Sequence, residues 1–535
     1  MTTLIPHFRN EPETDFSGSA AQADFRAALD RVRGQLGRRY PLVIGGHAVS
    51  HPETFDSINP AHPDQIVGTH VTATPEDVNA AVEAAERAFP AWSATPARER
   101  AELLFRAAAL IRKRRHDLSA LMVYEVGKSW AEADGESAEA VDLMEWYARQ
   151  MLRLDEPQQL TPLAGEETAF FYVPLGVGAI ISPWNFPLAL TTGMMTAAIV
   201  AGNTVVVKPA SVSATTVAWL VDLLLEVGRE LGLPDGVINY LTGPGGRIGD
   251  ALVDHPRIRF IAFTGSREVG IRINERGARV QPGQVWLKRI QLEMGGKNGV
   301  VVDETAHLEA AAEGIVAGAF SFQGQKCSAG SRAILVDQVY EPVLQQLVER
   351  ARALQVGDTT DPDNTIGPVV DANAERKILE YIELGKAEGE LMLGGDKLGD
   401  EGYFIAPTIF ADVRPQARIA QEEIFGPVLS VIRARDFEEA LQIANGTEYG
   451  LTGSLYSRDA QRLGRARREF HVGNLYFNRK STGALMGVHP FGGFNMSGTD
   501  SKAGGPDYLL FFLQGKSLGS RAAPSAPGGP DKGGE

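Results

Sequence analysis

Between residues 176 and 263 short apolar runs alternate with amphipathic ones, and that rhythm restricts the chain to few folds. Residues 177–181 read as a strand, 188–200 as a helix, 204–207 as a strand and 214–231 as a helix that stops at Gly232-Leu233-Pro234. Residues 237–241 and 259–263 read as further strands, each followed within two residues by glycine. Such βαβ alternation implies a parallel sheet wrapped by helices, with ligands at the carboxyl ends of the strands. A second α/β block runs from about 300 to 476, and no internal repeat is visible.

At 535 residues the chain exceeds what one hydrophobic core supports, so two or three domains are expected. A formal charge of −15 argues against nucleic acid or an anionic membrane as the main partner, since both reward basic surfaces. The first fourteen residues carry acids and no long apolar run, so no secretory leader is expected. The most apolar stretch, 188–207, is broken by Gly193, Gly202 and Asn203 and reads as a buried helix and strand, not a membrane span. Residues 1–40 read as an N-terminal helical arm with its helix over 20–36, and 41–64 as a small hairpin region. Thr74 and Pro75 have the chemistry of an N-cap and first helical residue, and Thr95-Pro96 is expected to repeat the device. An all-helical block then runs to about 150. From 520 to 535 the Gly, Pro, Ala and Ser content predicts a disordered tail.

Cys327 is the only cysteine, so it can form neither an internal disulfide nor a thiolate metal cage, and no metal site is expected. One cysteine and no leader fit a reducing cytoplasm. A lone thiol reads first as a small buried hydrophobe. Its setting, Gly324-Gln325-Lys326-Cys327-Ser328-Ala329, is polar and turn-like, which favours a nucleophile. Upstream, Leu292-Glu293-Met294-Gly295-Gly296-Lys297-Asn298 delivers a carboxylate into glycines, and Ser182-Pro183-Trp184-Asn185-Phe186-Pro187 offers a side-chain amide. A thiol, a carboxylate and an amide on three loops are suited to acyl chemistry at a carbonyl.

Three strand ends suggest a dinucleotide, and each has a plainer reading. The loop Thr242-Gly243-Pro244-Gly245-Gly246-Arg247-Ile248-Gly249 lets backbone approach a cofactor at Gly243 and Gly246, but its GxGxxxG spacing is also that of a plain turn. Lys208 could meet ribose or phosphate, or be a solvated surface lysine. In Phe263-Thr264-Gly265-Ser266 the serine could face a phosphate, or be an ordinary N-cap.

Together SPWNFP, LEMGGKN, GQKCSA and Glu422-Glu423-Ile424-Phe425-Gly426-Pro427-Val428 resemble, in order and spacing from about 40 to 515, the NAD(P)-dependent aldehyde dehydrogenase superfamily. The resemblance implies Cys327 as nucleophile, Glu293 as general base and Asn185 as oxyanion-hole amide. It implies cofactor contacts from Ile181, Ser182, Pro183, Trp184, Lys208, Ser211, Thr264, Ser266, Glu423 and Phe425. The fold implied is α/β: a Rossmann-like NAD-binding domain (41–154 and 176–299), a catalytic domain (300–499) and a β oligomerisation flap (155–175 and 500–515). A homodimer or higher homo-oligomer goes with that flap.

A finer resemblance lies in Asn478-Arg479-Lys480-Ser481-Thr482-Gly483-Ala484 followed by His489-Pro490-Phe491-Gly492-Gly493. With Lys326-Cys327-Ser328 it is similar to the 1-pyrroline-5-carboxylate dehydrogenase branch, whose substrate is L-glutamate γ-semialdehyde from proline breakdown. It implies Ser328 and the Gly483 and Ala484 amides at the substrate's α-carboxylate, with Phe186, Lys326 and Phe491 around it. It also allows a proline dehydrogenase partner. Ser211 stands where many strict NAD relatives carry glutamate, so NAD with tolerance of NADP is expected. The runner-up is a dehydrogenase for another small aliphatic or carboxylated aldehyde. A cysteine hydrolase would need a histidine partner, which no spacing suggests, and a purely structural role would not need Cys327, Glu293 and Asn185 together.

Overall fold

The structure is a computed structural model that describes residues 6–521. Two seven-stranded sheets organise it. The first has the order Arg289–Glu293, Phe260–Thr264, Val177–Ile181, Thr204–Lys208, Ile238–Tyr240, Leu42–Ile44, His47–Val49. Its first five strands are parallel, and the hairpin Leu42–Ile44/His47–Val49 adds to the edge antiparallel. Val205, Val206 and Val207 are wholly buried, as expected of a strand covered on both faces. Each such side chain contributes about 1.5–3 kcal/mol by leaving water.

The second sheet has the order Glu390–Leu393, Thr408–Ala411, Val428–Ala434, Arg332–Val336, Gly299–Val302, Thr452–Tyr456, Asn474–Phe477, with only its first strand antiparallel. Residues Met294 to Asn298 alone carry the chain from the edge strand of the first sheet, Arg289–Glu293, to the interior strand Gly299–Val302 of the second. A smaller pair, Glu167–Pro174 with Leu513–Ser520, stands as an antiparallel ribbon with Phe171 and Leu518 exposed.

Three expectations change in the structure. The ribbon strand ends at Ser520, beyond the 500–515 expected of the flap, because Tyr508–Phe512 is a 3-10 turn buried against the first sheet, with the Gln291 amide donating to the Tyr508 hydroxyl at 2.8 Å. Ser520 is therefore strand, and the rest of the expected tail from 522 lies outside the described residues. Thr74 does cap Pro75–Ala94, reciprocally with Asp77 (2.7 and 3.3 Å). Thr95 does not cap the next helix, Ala97–Val126. Its hydroxyl turns back to the Ala91 carbonyl at 3.1 Å, finishing the helix before it.

The helix Ser19–Arg33 packs on Ala97–Val126, and Trp130–Asp155 packs on Ala97–Val126 and Ala189–Val200. Among the described residues one helical stretch, Ser211–Leu231, is long and apolar enough to cross a membrane by length and composition, and 67% of its apolar window is buried inside the protein.

Candidate active site

Strand register brings the site together. Ile181 lies opposite Lys208 on one side and Phe263 on the other, and Thr264 lies opposite Glu293. Four parallel strands thus end level, and their following loops open on one cleft of about 530 Å³. Ile181, Ser182, Pro183 and Trp184 line it from one strand end, and Phe263, Thr264, Gly265 and Ser266 from another. Lys208, Gly246, Glu423, Phe425, Asn185 and Cys327 complete the set gathered there.

Ser211 and Gly243 do not line this cleft. Ser211 opens a 3-10 turn one residue past the lining Ala210. Gly243 packs against Thr72 and Ile248, while Gly245, Gly246 and Gly249 face the cleft from the π-type turn Gly245–Gly249.

Lys208 is buried, with the carbonyl of its neighbour Pro209 (2.9 Å) as the partner of its ammonium, and burial pushes it down to about 8. A desolvated ammonium so poorly partnered suits a ligand's hydroxyl or phosphate oxygens. Ser266 is the N-cap of Arg267–Gly277, accepting from the Val269 amide at 3.4 Å, so that helix start faces the cleft. Trp184 and Phe425 meet edge to face at 5.5 Å. Glu423 accepts from the Gly296 amide (2.9 Å), and burial raises its carboxyl to about 7.

The nucleophile turn is built from left-handed backbone at Phe322, Gln323 and Gly324 (φ 48°, 56° and 66°). Only glycine fits at 324, where a Cβ would strike the Gly426 carbonyl. Two glutamines hold the turn: Gln323 donates to the carbonyls of Gly127 (3.0 Å) and Pro368 (2.9 Å), and Gln325 accepts from the Val370 amide (3.0 Å). Asn185 donates to the Gln325 carbonyl at 3.0 Å, which fixes the side-chain amide beside the thiol. Burial and the facing carboxylates of Glu423 and Glu293 push the half-buried Cys327 thiol up to about 12. Glu293 is buried, and among the described residues neither of its oxygens has a hydrogen-bond partner. Desolvation holds its carboxyl well above the ordinary range, with Lys502 pulling it down and Asp500 pushing it up.

On the far side of the thiol, Ser481 donates to the Ser328 carbonyl (3.2 Å), tying the Ser481–Ala484 segment to the nucleophile turn. The Arg479 guanidinium donates to the carbonyls of Thr482 (2.9 Å) and Gly483 (2.8 Å). In a trans peptide the N–H opposes the C=O, so the Gly483 and Ala484 N–H groups point away from Arg479. Neither donates a hydrogen bond within the described chain. Phe491 pairs with Ala503 by backbone and precedes Gly492, which lies against the Glu293 carboxyl. Lys326 is ion-paired with Glu132 at 2.6 Å and donates to the Ser321 hydroxyl (3.1 Å).

Sequence reading missed a buried cation behind the Phe186 and Phe322 rings. The Lys128 ammonium lies 3.6 Å from the centre of the Phe186 ring and 4.4 Å from that of Phe322, and 2.5 Å from Glu136. Glu136 in turn accepts from the Leu188 and Ala189 amides at the start of Ala189–Val200. A charged residue in the short connection between two long helices was the only available signal.

The profile described as the Aldehyde dehydrogenase family matches residues 47–518. The 1-pyrroline-5-carboxylate dehydrogenase of Geobacillus sp. (strain WCH70) is 55% identical over 515 residues, covering 96% of this chain and 99% of that protein. A crystal structure of 1-pyrroline-5-carboxylate dehydrogenase from Thermus with bound NAD superposes with a TM-score of 0.95 at 53% identity, covering 98% of this chain and all of that one. Proline utilization A (PutA) from Bdellovibrio bacteriovorus superposes at 0.94 with 44% identity, over 98% of this chain but 55% of that longer one.

Proposed function

Because the chain belongs to the aldehyde dehydrogenase family, we propose that it oxidises L-glutamate γ-semialdehyde, the open form of 1-pyrroline-5-carboxylate, to L-glutamate with NAD, the second step of proline catabolism. The observation that carries the substrate is the pair of free N–H groups at Gly483 and Ala484, turned outward by Arg479 and tied to the Cys327 turn through Ser481. Adjacent unpaired amides bind anions, here the α-carboxylate. Ser328 adds its hydroxyl, and Phe186 and Phe491 bracket the methylenes. Lys326, held by Glu132, contributes positive charge near the same group.

The cofactor fits the cleft. Lys208 takes the ribose hydroxyls on the adenine side, the Ser266 helix start takes pyrophosphate, and Glu423 and Phe425 hold the nicotinamide end. The nicotinamide supplies the oxidant, accepting a hydride, and a positive charge that favours the thiolate.

Cys327 Sγ attacks the aldehyde carbon, forming a C–S bond and an oxyanion. Asn185 has one amide hydrogen on the Gln325 carbonyl and offers the other, with the Cys327 N–H, to that oxyanion. One such donor is typically worth about 3–4 kcal/mol in the transition state. Re-formation of the carbonyl with loss of hydride leaves a thioester on Cys327. Glu293 in its ionised form then takes a proton from water, which attacks the thioester carbon, and the C–S bond breaks to release the acid and the thiolate. Movement around Glu423 and Phe425 makes room for that water.

We place the enzyme in the cytoplasm as a homodimer or larger homo-oligomer. The exposed ribbon Glu167–Pro174/Leu513–Ser520, with Phe171 and Leu518 in the open, supports association through that edge. The placement of the equivalent of this chain within a longer protein named for proline utilisation supports a proline dehydrogenase as supplier of substrate. The test follows reduced-cofactor absorbance over a panel of aldehydes. Glutamate semialdehyde should exceed pentanal in kcat/KM by orders of magnitude. Equal efficiency on both would leave only a dehydrogenase of some other small aldehyde.

A further inference from the structure

The loop from Ser481 to His489 contains no helix or strand, yet its midpoint is held from the far end of the sequence. The Asn10 side-chain amide has two hydrogens, and both are engaged: one donates to Asp142 at 2.8 Å, the other to the Met486 carbonyl at 3.0 Å. Asp142, buried on Trp130–Asp155, receives the Glu11 amide on its other oxygen at 2.7 Å. Phe8 packs edge to face on Trp146 at 5.1 Å, and the two rings close over Gly487, where a side chain would meet both. Further along the arm, Thr14 donates to Asp134 by amide (2.7 Å) and hydroxyl (2.9 Å), and Glu11 pairs with Arg112 at 2.8 Å.

These contacts do more than cover a surface, because one of them ends on the segment just after Gly483 and Ala484. We propose that the N-terminal arm positions the substrate-carboxylate loop, with Asn10 as the bracing residue between Asp142 and Met486. Asn10 is a positioning residue and touches no substrate. The inference rests on the proposed role of Gly483 and Ala484 as the carboxylate site. An aspartate at 10 would face Asp142 with like charge and offer Met486 no donor.

The test uses the full-length enzyme carrying Asn10→Ala and, separately, Asn10→Asp with Asp142→Asn. The second variant rebuilds the link between arm and helix by reversing its donor, so the arm stays docked while Met486 loses its brace. Amide hydrogen exchange across 484–488 should quicken about tenfold in both, and KM for glutamate semialdehyde should rise about fivefold, the factor of one lost hydrogen bond. The efficiency on pentanal and KM for NAD should not move. Unchanged exchange in 484–488 overturns the brace. Equal losses on semialdehyde and pentanal would mean general damage and also overturn it. Quickened exchange without a KM effect would refute the link to substrate, provided Ala484→Leu does raise that KM. If Ala484→Leu leaves it unchanged, the carboxylate reading itself fails, and exchange still reports the brace alone.

Discussion

Asn298 holds Cys327 in place: its side-chain amide donates to the Cys327 carbonyl at 2.7 Å and to the Ala329 carbonyl at 2.8 Å, while its oxygen accepts from the Thr452 amide at 2.9 Å. One side chain thus pins the carbonyls of the two residues that flank Ser328 to the second sheet. Asn298→Ala strands three buried backbone groups, each costing about 1–3 kcal/mol. Thermal unfolding should shift down, and kcat should fall about a hundredfold as the thiol loses its fixed position. An Asn298→Ala enzyme with normal kcat would dissociate the clamp from the chemistry.

In the proposed reaction the thiol and the carboxyl do separate work. Cys327→Ala should show neither turnover nor a burst of reduced cofactor. Glu293→Ala should form thioester and stall, so mass spectrometry after mixing with substrate and NAD should find acylated protein. Rapid steady turnover by Glu293→Ala would refute its role as base.

Burial holds the Glu293 carboxyl well above its ordinary value of 4.5. Above pH 4.5 the folded chain therefore keeps a proton that the unfolded chain releases, and stability falls as pH rises toward the folded value. Glu293→Gln removes that loss. The variant should melt higher than the parent, by a margin that grows from pH 5 to pH 8. A margin independent of pH would contradict the shift.

Lys128→Met leaves Glu136 buried without its cation. Breaking such a pair costs about 3–5 kcal/mol, and adding Glu136→Gln should restore part of it. The double variant keeps the wall apolar but loses the cation over the Phe186 ring. Its KM for the semialdehyde should rise by up to about thirtyfold, the value of one desolvated cation–π contact of about 2 kcal/mol. No recovery of stability in the double variant would show that the pair is not the source of the loss.

Ser211 carries neither charge nor bulk and follows Ala210, the residue that lines the cleft toward the proposed adenosine end. NADP should support measurable turnover, weaker than NAD, and Ser211→Glu should depress NADP use far more than NAD use by charge repulsion. Absence of NADP turnover in the parent enzyme would remove the argument.

Local signals in the chain carried much of this. Apolar runs marked four of the seven strands of the first sheet, Val177–Ile181, Thr204–Lys208, Ile238–Tyr240 and Phe260–Thr264, within a residue or two, and Ala214–Leu231 is the helix read from its pattern. Glycine and proline at the strand ends marked the loops that converge. Gly243 misled because the π-type turn after it shifts the cleft-facing glycines to 245, 246 and 249. Thr95 misled because a threonine before proline can finish one helix as well as begin another. The contacts that sequence could not display are long-range: Asn185 with Gln325, Asn298 with Cys327, and Asn10 with Met486, 476 positions apart. No local pattern encodes a partner chosen by the folded geometry.

Residues Met294 to Asn298 join the two sheets and have Glu293 at one end and the Cys327 clamp at the other. A rotation of one sheet against the other would have to be taken up in part by this short span. The angle between the sheets would then bear on the separation between carboxyl and thiol. A ligand that reached from Lys208 across to Phe425 would touch both halves of the cleft and so restrain that angle. Releasing it uncouples base from nucleophile, in the manner of a clutch.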